Sequence, residues 1–374
     1  MSILAVHAAD LAALAERGRT RRLIPRAGID LSSNDYLGLA TAPALRAAVA
    51  DALARDVPVG SGGSRLLRGN HSEHELLEAE AAGFFGSETA LWLSSGYAAN
   101  AALFATLPQR GDLIVHDALI HASAHEGMRI GRAETRPAAH NDVAAFAGVI
   151  ADWRRTGGMG SVWIAVESLY SMDGDRAPLV DLAALADVHD AFLLIDEAHA
   201  TGVFGRDGRG LADGLDGRDN VIVLRTCGKA LGCEGALLCG PAIVRDFLVN
   251  RARAFIFSTA PSPLMAAAVR AALRLLVAEP ERRDRLAARV AEAGARLGPH
   301  GAVVTGSQIL PLVIGDDVRT MRVAARLQAA GFDVRGIRPP TVPVGTSRLR
   351  LSITANLAEG DLAALADAMA DALA

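Results

Sequence analysis

The chain has 374 residues, 51% hydrophobic and 21% charged, which is enough for two or more domains with a large core. The formal net charge of −4 gives no indication of nucleic-acid binding, and no apolar run approaches the roughly 20 residues of a membrane span. The N-terminus lacks a basic start before an apolar core, and the three cysteines form neither a disulfide framework nor a C-x-x-C metal pair. We therefore expect a cytoplasmic globular protein with no membrane segment and no metal.

The N-terminal region is predicted to be a helix followed by a short strand. Residues 1–24 are alanine-rich and end in a basic patch of four arginines, Arg17, Arg19, Arg21 and Arg22. Because the helix dipole favours cations at its C-terminal end, a solvated patch is the simpler interpretation. An arginine that reaches an acidic substrate is the functional alternative. A strand near residue 29 then enters the turn at residues 32–35, and residues 44–55 are predicted to be helical.

Two stretches expose backbone N–H groups that suit an anion. The loop at residues 59–69, VGSGGSRLLRG, favours a carboxylate or a phosphate, with a flexible turn as the alternative. A strand at residues 91–93 meets Ser94-Ser95-Gly96, and a helix begins at Tyr97. Since this is an early strand–turn–helix unit of an α/β domain, a phosphate site is favoured here over an ordinary connection.

Residues 71–85 are predicted to be a helix with a polar cluster that includes His71 and His74, residue types that bind metals. A metal site is disfavoured, because Leu76, Leu77 and other apolar residues supply a core face. The histidines and glutamates are then expected on the outer face of the helix.

Several later strands are predicted to end in polar residues at one edge of a sheet. A strand at residues 112–115 leads to His121, which is able to stack on a flat cofactor ring, although a lone histidine is more often structural. A strand at residues 163–166 ends in Glu167-Ser168, followed by a polar loop over residues 170–175. A helix over residues 178–187 follows this loop.

The strongest signal is a pair of buried strands that end at Asp196 and just before Lys229. The strand at residues 192–195 is followed by Asp196 and His199, and the strand at residues 221–224 precedes Thr226 and Lys229. Taken alone, Asp196 is explained as a helix cap, and Lys229 is explained as a surface residue on a turn. Together they form a pyridoxal phosphate (PLP) layout. The carboxylate keeps the pyridine nitrogen protonated, the histidine bonds the ring oxygen, and the lysine binds the aldehyde as a Schiff base.

The C-terminal part is predicted to alternate strand and helix. A strand at 235–240 and a helix at 244–255 precede a helical region over 262–297, kinked near Pro280. Strands are expected at 302–304, 309–313, 332–334 and 348–353, with helices at 318–330 and from 359. A proline-rich loop precedes Arg348 and Arg350, which are expected to alternate outward from a strand, and a substrate carboxylate is the expected partner of a buried arginine.

With these motifs in place, the chain resembles the α-oxoamine synthases, a family of fold-type I PLP enzymes. The resemblance covers nearly the whole chain and rests on SSNDYLGL, GSGGSRL, SSGYAAN, HAS, AHND, SMDGD, IDEAHATGVFG, TCGKALG and IRPPTVPVGTSRLRLS. The last stretch is the most particular to the branch that acts in biotin biosynthesis. One departure is Cys233-Glu234-Gly235, where relatives have Ser-Gly or Thr-Gly, and the effect of the Glu234 charge on the reactivity of Lys229 stays open.

The resemblance implies an α/β fold with a large, mostly parallel sheet flanked by helices and a smaller α/β C-terminal domain. We expect an N-terminal segment at 1–40, a PLP-binding domain at 41–275 and a small domain at 276–374. It also implies a homodimer with the site at the subunit interface.

The resemblance assigns site roles residue by residue. Lys229 holds PLP, Asp196 faces the pyridinium, His199 contacts the ring oxygen and His121 stacks on the ring. The phosphate region is assigned to Gly96 and Tyr97, further hydrogen bonds to Ser171 and Thr226, and substrate contacts to Arg21, Thr341 and Arg350.

The implied activity is that of a PLP-dependent acyltransferase. It condenses L-alanine with pimeloyl-CoA or a pimeloyl-acyl carrier protein and releases carbon dioxide. A sister synthase that uses glycine and a short acyl-CoA is one alternative, and a PLP-dependent aldolase or lyase is another. A non-catalytic subunit is disfavoured by the intact Lys229, Asp196 and His199. The thioester carrier, the acyl chain length and the choice among Arg19, Arg21 and Arg22 stay open.

Overall fold

The computed structural model describes residues 3–374, and the contacts divide the chain into two compact units. The large unit comprises residues 37–171 and 175–283, and the small unit comprises the chain up to residue 36, residues 172–174 and residues 284–374. The expected domains, 1–40, 41–275 and 276–374, stay a prediction. None of the helices in the described chain is long and apolar enough to cross a membrane.

The strands alternate with helices through most of the chain. In chain order the strands are β1 (Ile29–Asp30), β2 (Thr89–Leu93), β3 (Leu113–Asp117), β4 (Glu134–Ala138), β5 (Val162–Glu167), β6 (Phe192–Asp196), β7 (Val221–Thr226), β8 (Ala236–Gly240), β9 (Ile309–Gly315), β10 (Phe332–Asp333), β11 (Gly336–Ile337) and β12 (Ser347–Ser352).

The α-helices are α1 (Ala5–Glu16), α2 (Pro43–Ala54), α3 (Ser72–Phe85), α4 (Gly96–Thr106), α5 (Ala122–Ile130), α6 (Val143–Arg155), α7 (Leu179–Val188), α8 (Ala242–Arg251), α9 (Arg253–Ile256), α10 (Pro263–Ala278), α11 (Glu281–Leu297), α12 (Asp317–Ala329) and α13 (Asp361–Leu373). A π-helical turn forms at Arg65–Gly69, and short 3₁₀ turns form at Arg206–Gly208 and Gly298–His300.

The large unit is built on a seven-stranded sheet of order β2-β8-β7-β6-β5-β3-β4. Strands β4, β3, β5, β6 and β7 are mutually parallel, and β8 pairs antiparallel with both β7 and β2. Every residue of β5 and β7 is buried, as expected for strands covered on both faces, and this explains the apolar runs at residues 162–166 and 221–224. The carboxyl ends of β5, β6 and β7 therefore meet at one edge.

The small unit contains a three-stranded antiparallel sheet, β11-β12-β9, and a short parallel pair, β1-β10. Leu349 and Leu351 of β12 are fully buried and anchor this unit's core.

Three sequence expectations about elements are wrong. The N-terminal helix covers Ala5–Glu16 only, with residues 1–2 outside the described chain. Residues 302–304 do not form a strand, since Val303 makes one backbone bond, to Pro311, and both Val303 and Val304 are exposed. Strand β4 and helix α6 were not anticipated.

The third wrong expectation concerns helix α3, whose first polar residues face inward. His74 is fully buried, accepts the backbone N–H of His71 at Nδ1 (3.2 Å) and bonds the Pro261 carbonyl through Nε2 (2.8 Å). Burial lowers the pKa of His74 to about 4, so the ring is neutral. Leu76, expected in the core, is 45% exposed instead.

Candidate active site

The candidate site lies at the carboxyl edge of the large sheet. Glu167, Asp196 and Thr226 are the last residues of β5, β6 and β7, and Glu167 pairs directly with Asp196 in the strand register. This edge is where parallel α/β sheets bind ligands.

Asp196 is held as a hydrogen-bond acceptor on both carboxyl oxygens. Its Oδ1 accepts the backbone N–H of Ala198 (2.9 Å), and its Oδ2 accepts the side-chain amide of Asn100 (2.9 Å). The same amide nitrogen donates to the Ser123 hydroxyl at 2.8 Å. These two hydrogen bonds fix the orientation of the carboxyl group, and an acceptor in this position suits a cationic ring.

Lys229 lies on the turn that follows β7, and its Nζ is 2.9 Å from Nε2 of the buried His199. The turn is closed by bonds from the Cys227 N–H to the Gly235 carbonyl (2.8 Å) and from the Gly232 N–H to the Lys229 carbonyl (2.9 Å). Gly232 has a positive φ of 64°, and a Cβ there would lie 2.3 Å from the Ala40 nitrogen, so this position requires glycine. The turn thus fixes the only lysine of the sequence at the sheet edge.

His121 caps helix α5 with its own ring. Its Nδ1 accepts the Ser123 N–H (3.2 Å) and lies 2.7 Å from the Ser123 hydroxyl, which joins His121 to the network of Asn100 and Asp196. The residue is otherwise exposed, so a ring face is accessible to a planar group.

The start of helix α4 has backbone N–H groups arranged as the predicted anion site requires. Ser95 caps the helix by accepting the Ala98 N–H (3.1 Å), and the N–H groups of Gly96 and Tyr97 precede the first intrahelical bonds. A Cβ on Gly96 would lie 3.7 Å from the Thr226 hydroxyl, so the helix start and the end of β7 adjoin. Ser171 follows the end of β5 in the chain, and its N–H donates to Oε2 of Glu167 (3.2 Å).

The structure adds polar residues that the sequence analysis did not assign. Asn100 and Glu167 contact or adjoin Asp196 as described above. The AHND motif contributes His140, whose Nδ1 is 2.8 Å from Asp117 and whose Nε2 is 2.7 Å from Asp175. Although burial lowers it, hydrogen bonds to the two carboxylates raise the pKa of His140 to about 10, so it is an imidazolium. The AHND motif, which is part of the family resemblance, was the available signal in the sequence.

The three substrate-side residues lie in the small unit. Arg21 and Thr341 are exposed, and Arg350 is buried, donating to Asn34 (3.1 Å), Tyr36 (3.3 Å) and Ser352 (2.9 Å).

The expectation that Arg348 and Arg350 point outward is wrong. Both are at least nine-tenths buried, and Arg348 pairs with Asp173 at 2.5 Å. No cluster of potential metal ligands occurs within residues 3–374, which includes the histidines of α3.

The residues at the sheet edge fit PLP by their donor and acceptor chemistry. An amine that is able to bind an aldehyde, an acceptor-only carboxylate and free helix N–H groups match the three polar ends of this cofactor. Lys229, Asp196 and the Gly96–Tyr97 amides are the groups that would hold it.

Comparisons with known proteins agree with this chemistry. The sequence profile of the family described as aminotransferase class I and II matches residues 26–369. An 8-amino-7-oxononanoate synthase of Anaeromyxobacter sp. (strain K) is 45% identical, over 97% of this chain and 95% of the relative. Its counterpart in Chromobacterium violaceum is 44% identical, over 92% and 89%.

Solved structures give the same result for the fold. A variant of serine palmitoyltransferase from S. paucimobilis, with a bound PLP–myriocin aldimine, superposes with a TM-score of 0.89 at 26% identity, covering 100% of this chain and 98% of that one. An 8-amino-7-oxononanoate synthase from Francisella tularensis superposes with a TM-score of 0.77 at 25% identity, covering 92% and 98%.

The chain therefore belongs to the class I and II aminotransferase family of PLP enzymes and, within it, to the 8-amino-7-oxononanoate synthases. The fold-type I architecture and the PLP cofactor predicted from the sequence are confirmed.

Proposed function

We propose that this enzyme condenses L-alanine with a pimeloyl thioester, releasing carbon dioxide and 8-amino-7-oxononanoate. The observation that carries the proposal is the Lys229–His199 contact beside Asp196, in a chain 45% identical to a named synthase of this product. The chain's own residues supply what the reaction needs.

Lys229 has two roles in the proposal. Its Nζ holds the cofactor and, once an amino acid has taken its place, removes and returns the proton on the α-carbon. When bound, PLP supplies an electron sink for the charge that proton removal and decarboxylation leave on that carbon. His199, 2.9 Å from Nζ, orients the amine.

Asp196 and His121 are the residues proposed to contact the ring of the cofactor. Asp196, fixed by Asn100 and Ala198, keeps a negative charge where the ring needs a cation. His121, fixed at Nδ1 by Ser123, offers its face for stacking. Thr226, Ser171 and the N–H groups of Gly96 and Tyr97 complete the binding of the ring and phosphate oxygens.

The substrate side is assigned by the family resemblance. We propose that Arg350, which donates to Asn34, Tyr36 and Ser352, also binds a substrate carboxylate, the anion that best matches a guanidinium. Arg21 and Thr341 are proposed to contact the acyl substrate, with CoA and an acyl carrier protein both open as its carrier.

A cytoplasmic homodimer is part of the proposal. The three cysteines form no disulfide within residues 3–374, which favours a reducing compartment. Exposed apolar side chains on the large unit, such as Leu67 at 85% and Phe257 at 71%, favour burial against a second copy.

A substrate panel tests the function. L-Alanine, glycine and L-serine are each combined with pimeloyl-CoA, acetyl-CoA and palmitoyl-CoA, and the products are identified by mass. We expect the alanine–pimeloyl pair to exceed every other pair in kcat/KM. A preference for glycine with acetyl-CoA, or for serine with palmitoyl-CoA, would assign the chain to a sister synthase.

A further inference from the structure

Glu167, the last residue of β5, is a buried acid that the reaction scheme above does not use. It is 2% exposed, and its Oε2 accepts the Ser171 N–H at 3.2 Å. Its Oε1 is buried without a hydrogen-bond partner among residues 3–374. An anion in this position would leave one charged oxygen unsolvated, which is strongly unfavourable.

Glu167 lies beside the acid that faces the cofactor. It is the direct register partner of Asp196 on the neighbouring parallel strand, so both side chains project from the same face of the sheet. Two carboxyl groups on adjacent strands of one buried face disfavour double ionisation, and one of them keeps a proton.

The hydrogen bonds identify which acid keeps the proton. Asp196 accepts a donor on each oxygen, whereas Glu167 accepts one donor in total. The other titratable groups that interact with Glu167 are Lys229, Asp117 and Tyr170, and Asp117 has its own counter-ion in His140. Burial raises the pKa of Glu167 well above its usual value, the charge of Asp196 raises it further, and Lys229 offsets only part of this.

We propose that Glu167 is a neutral acid of the active site, which fixes the backbone of Ser171 without placing a second negative charge beside Lys229. This rests on the proposed function, because the benefit concerns Lys229 as a base. A second carboxylate would stabilise the protonated amine, and a protonated lysine cannot remove the α-proton. Glu167 is thus a positioning residue that also sets the charge of the site.

The first test detects the proton directly. An infrared spectrum of the PLP-loaded enzyme at neutral pH is recorded for the wild type and for Glu167→Gln, in light and heavy water. We expect a carbonyl stretch of a protonated carboxylic acid in the wild type, shifted by deuterium and absent from Glu167→Gln. Its absence from the wild type, or its persistence in the variant, overturns the proposal.

The second test measures the charge through Lys229. In Glu167→Gln, the amide oxygen still accepts the Ser171 N–H and the net charge is unchanged if the acid is neutral. The acid limb of the kcat profile, along which Lys229 loses its proton once the amino acid has replaced it on the cofactor, is then expected to stay in place. A displacement of that limb by about one pH unit to lower pH would show that Glu167 is an anion and contradict the proposal.

A control variant separates positioning from charge. Glu167→Ala removes the acceptor for Ser171 and is expected to weaken PLP binding to the apoenzyme by about tenfold, measured by equilibrium titration, while Glu167→Gln retains affinity. Equal affinities of both variants and wild type would remove the positioning role. The infrared band needs no substrate, so an inactive enzyme that shows it would overturn the proposed function alone.

Discussion

At the scale of single residues, the basic side chains of this chain are almost all arginine. Of 38 basic residues, 37 are arginine and one is Lys229 (38 − 37 = 1). Arginine stays protonated under all ordinary conditions, whereas a lysine amine is able to lose its proton and bind a carbonyl. The role proposed for Lys229 is therefore one that arginine is unable to fill.

Replacing Lys229 tests this directly. Lys229→Ala and Lys229→Arg are both expected to reduce product formation to the level without enzyme, because neither side chain is able to hold the aldehyde or carry the proton. The measurement is product mass with L-alanine and pimeloyl-CoA. The matched control is Arg245→Ala in helix α8, where the arginine side chain is 40% exposed, and this variant is expected to behave as wild type. Near wild-type turnover by either lysine variant would contradict the assignment.

Asp196 gives a second residue-scale prediction. Asp196→Asn keeps the shape but removes the charge, and we expect kcat to fall about 10²-fold or more while the protein still folds. Asn100→Ala, which removes one donor to Asp196, is expected to have a smaller effect of the same sign. A rank order with Asn100→Ala more severe than Asp196→Asn would refute the role given to the carboxylate.

The residues at strand ends were predictable from sequence, because buried runs such as β6 and β7 stop abruptly at Asp196 and Thr226. Glu167 and Asn100 were not assigned. Their importance depends on which strand neighbours β6 and which helix faces it, and chain order does not contain that information. The inward direction of Arg348 was missed because its partner, Asp173, is 175 residues away in the chain.

At the scale of elements, the cluster of Asp117, His140 and Asp175 joins the end of β3 to the segment just after Ser171. The Asn141 N–H adds a bond to Asp117 (2.8 Å), and the Tyr170 ring packs edge-on against His140 at 4.4 Å. The pKa of His140, raised to about 10 by its two carboxylate partners, exceeds its unfolded value of 6.5. Its stabilisation is therefore complete below the unfolded pKa and is lost as the pH rises through the folded one.

His140→Asn is consequently expected to destabilise the protein most near about pH 6 and least above about pH 10. The measurement is the midpoint of urea unfolding for wild type and variant across this range. His7→Gln, on the exposed helix α1, is the control and is expected to leave the midpoint unchanged. A destabilisation that grows with pH would show that His140 is not held as an imidazolium.

Another element-scale prediction concerns Arg225 in β7, an interior strand of the seven-stranded sheet. It is fully buried, donates to Glu197 at 3.1 Å and to both oxygens of Asp216 at 2.8 Å, and stacks over Phe85 at 4.0 Å. Arg225→Ala leaves two buried carboxylates without their partner, so we expect a loss of about 3–5 kcal/mol in unfolding free energy. The exposed pair of Arg245 and Asp246 is the control, with an expected change below about 1 kcal/mol for Arg245→Ala. Equal losses in the two variants would contradict this account.

The elements themselves were predicted unevenly. Strands that begin with a long apolar run, such as β5 and β7, were correctly placed, since continuous burial leaves an unbroken sequence signal. Strand β4, ETRPA, has no such signal, because it lies at the sheet edge and most of its residues are exposed. The prediction that the polar residues of helix α3 face outward failed for His74. Hydrogen bonds to His71 and Pro261 provide partners for both ring nitrogens, so the ring is able to lie inside the protein.

At the scale of the whole molecule, family membership accounts for the order of elements over residues 26–369. The sequence motifs predicted the class of fold and the cofactor because PLP chemistry demands particular residues at particular strand ends. The partition of the chain into units was harder to foresee. Residues 172–174 belong to the small unit although the chain on both sides of them belongs to the large one.

The most direct test of the whole account uses the single lysine. The purified enzyme is loaded with PLP, reduced with borohydride, digested and analysed by mass spectrometry, with and without L-alanine added before reduction. We predict one pyridoxyl group on the peptide that carries Lys229, and a marked loss of that label when alanine is added first. A wild-type protein that stays unlabelled after loading, or a label that alanine does not displace, would contradict the account.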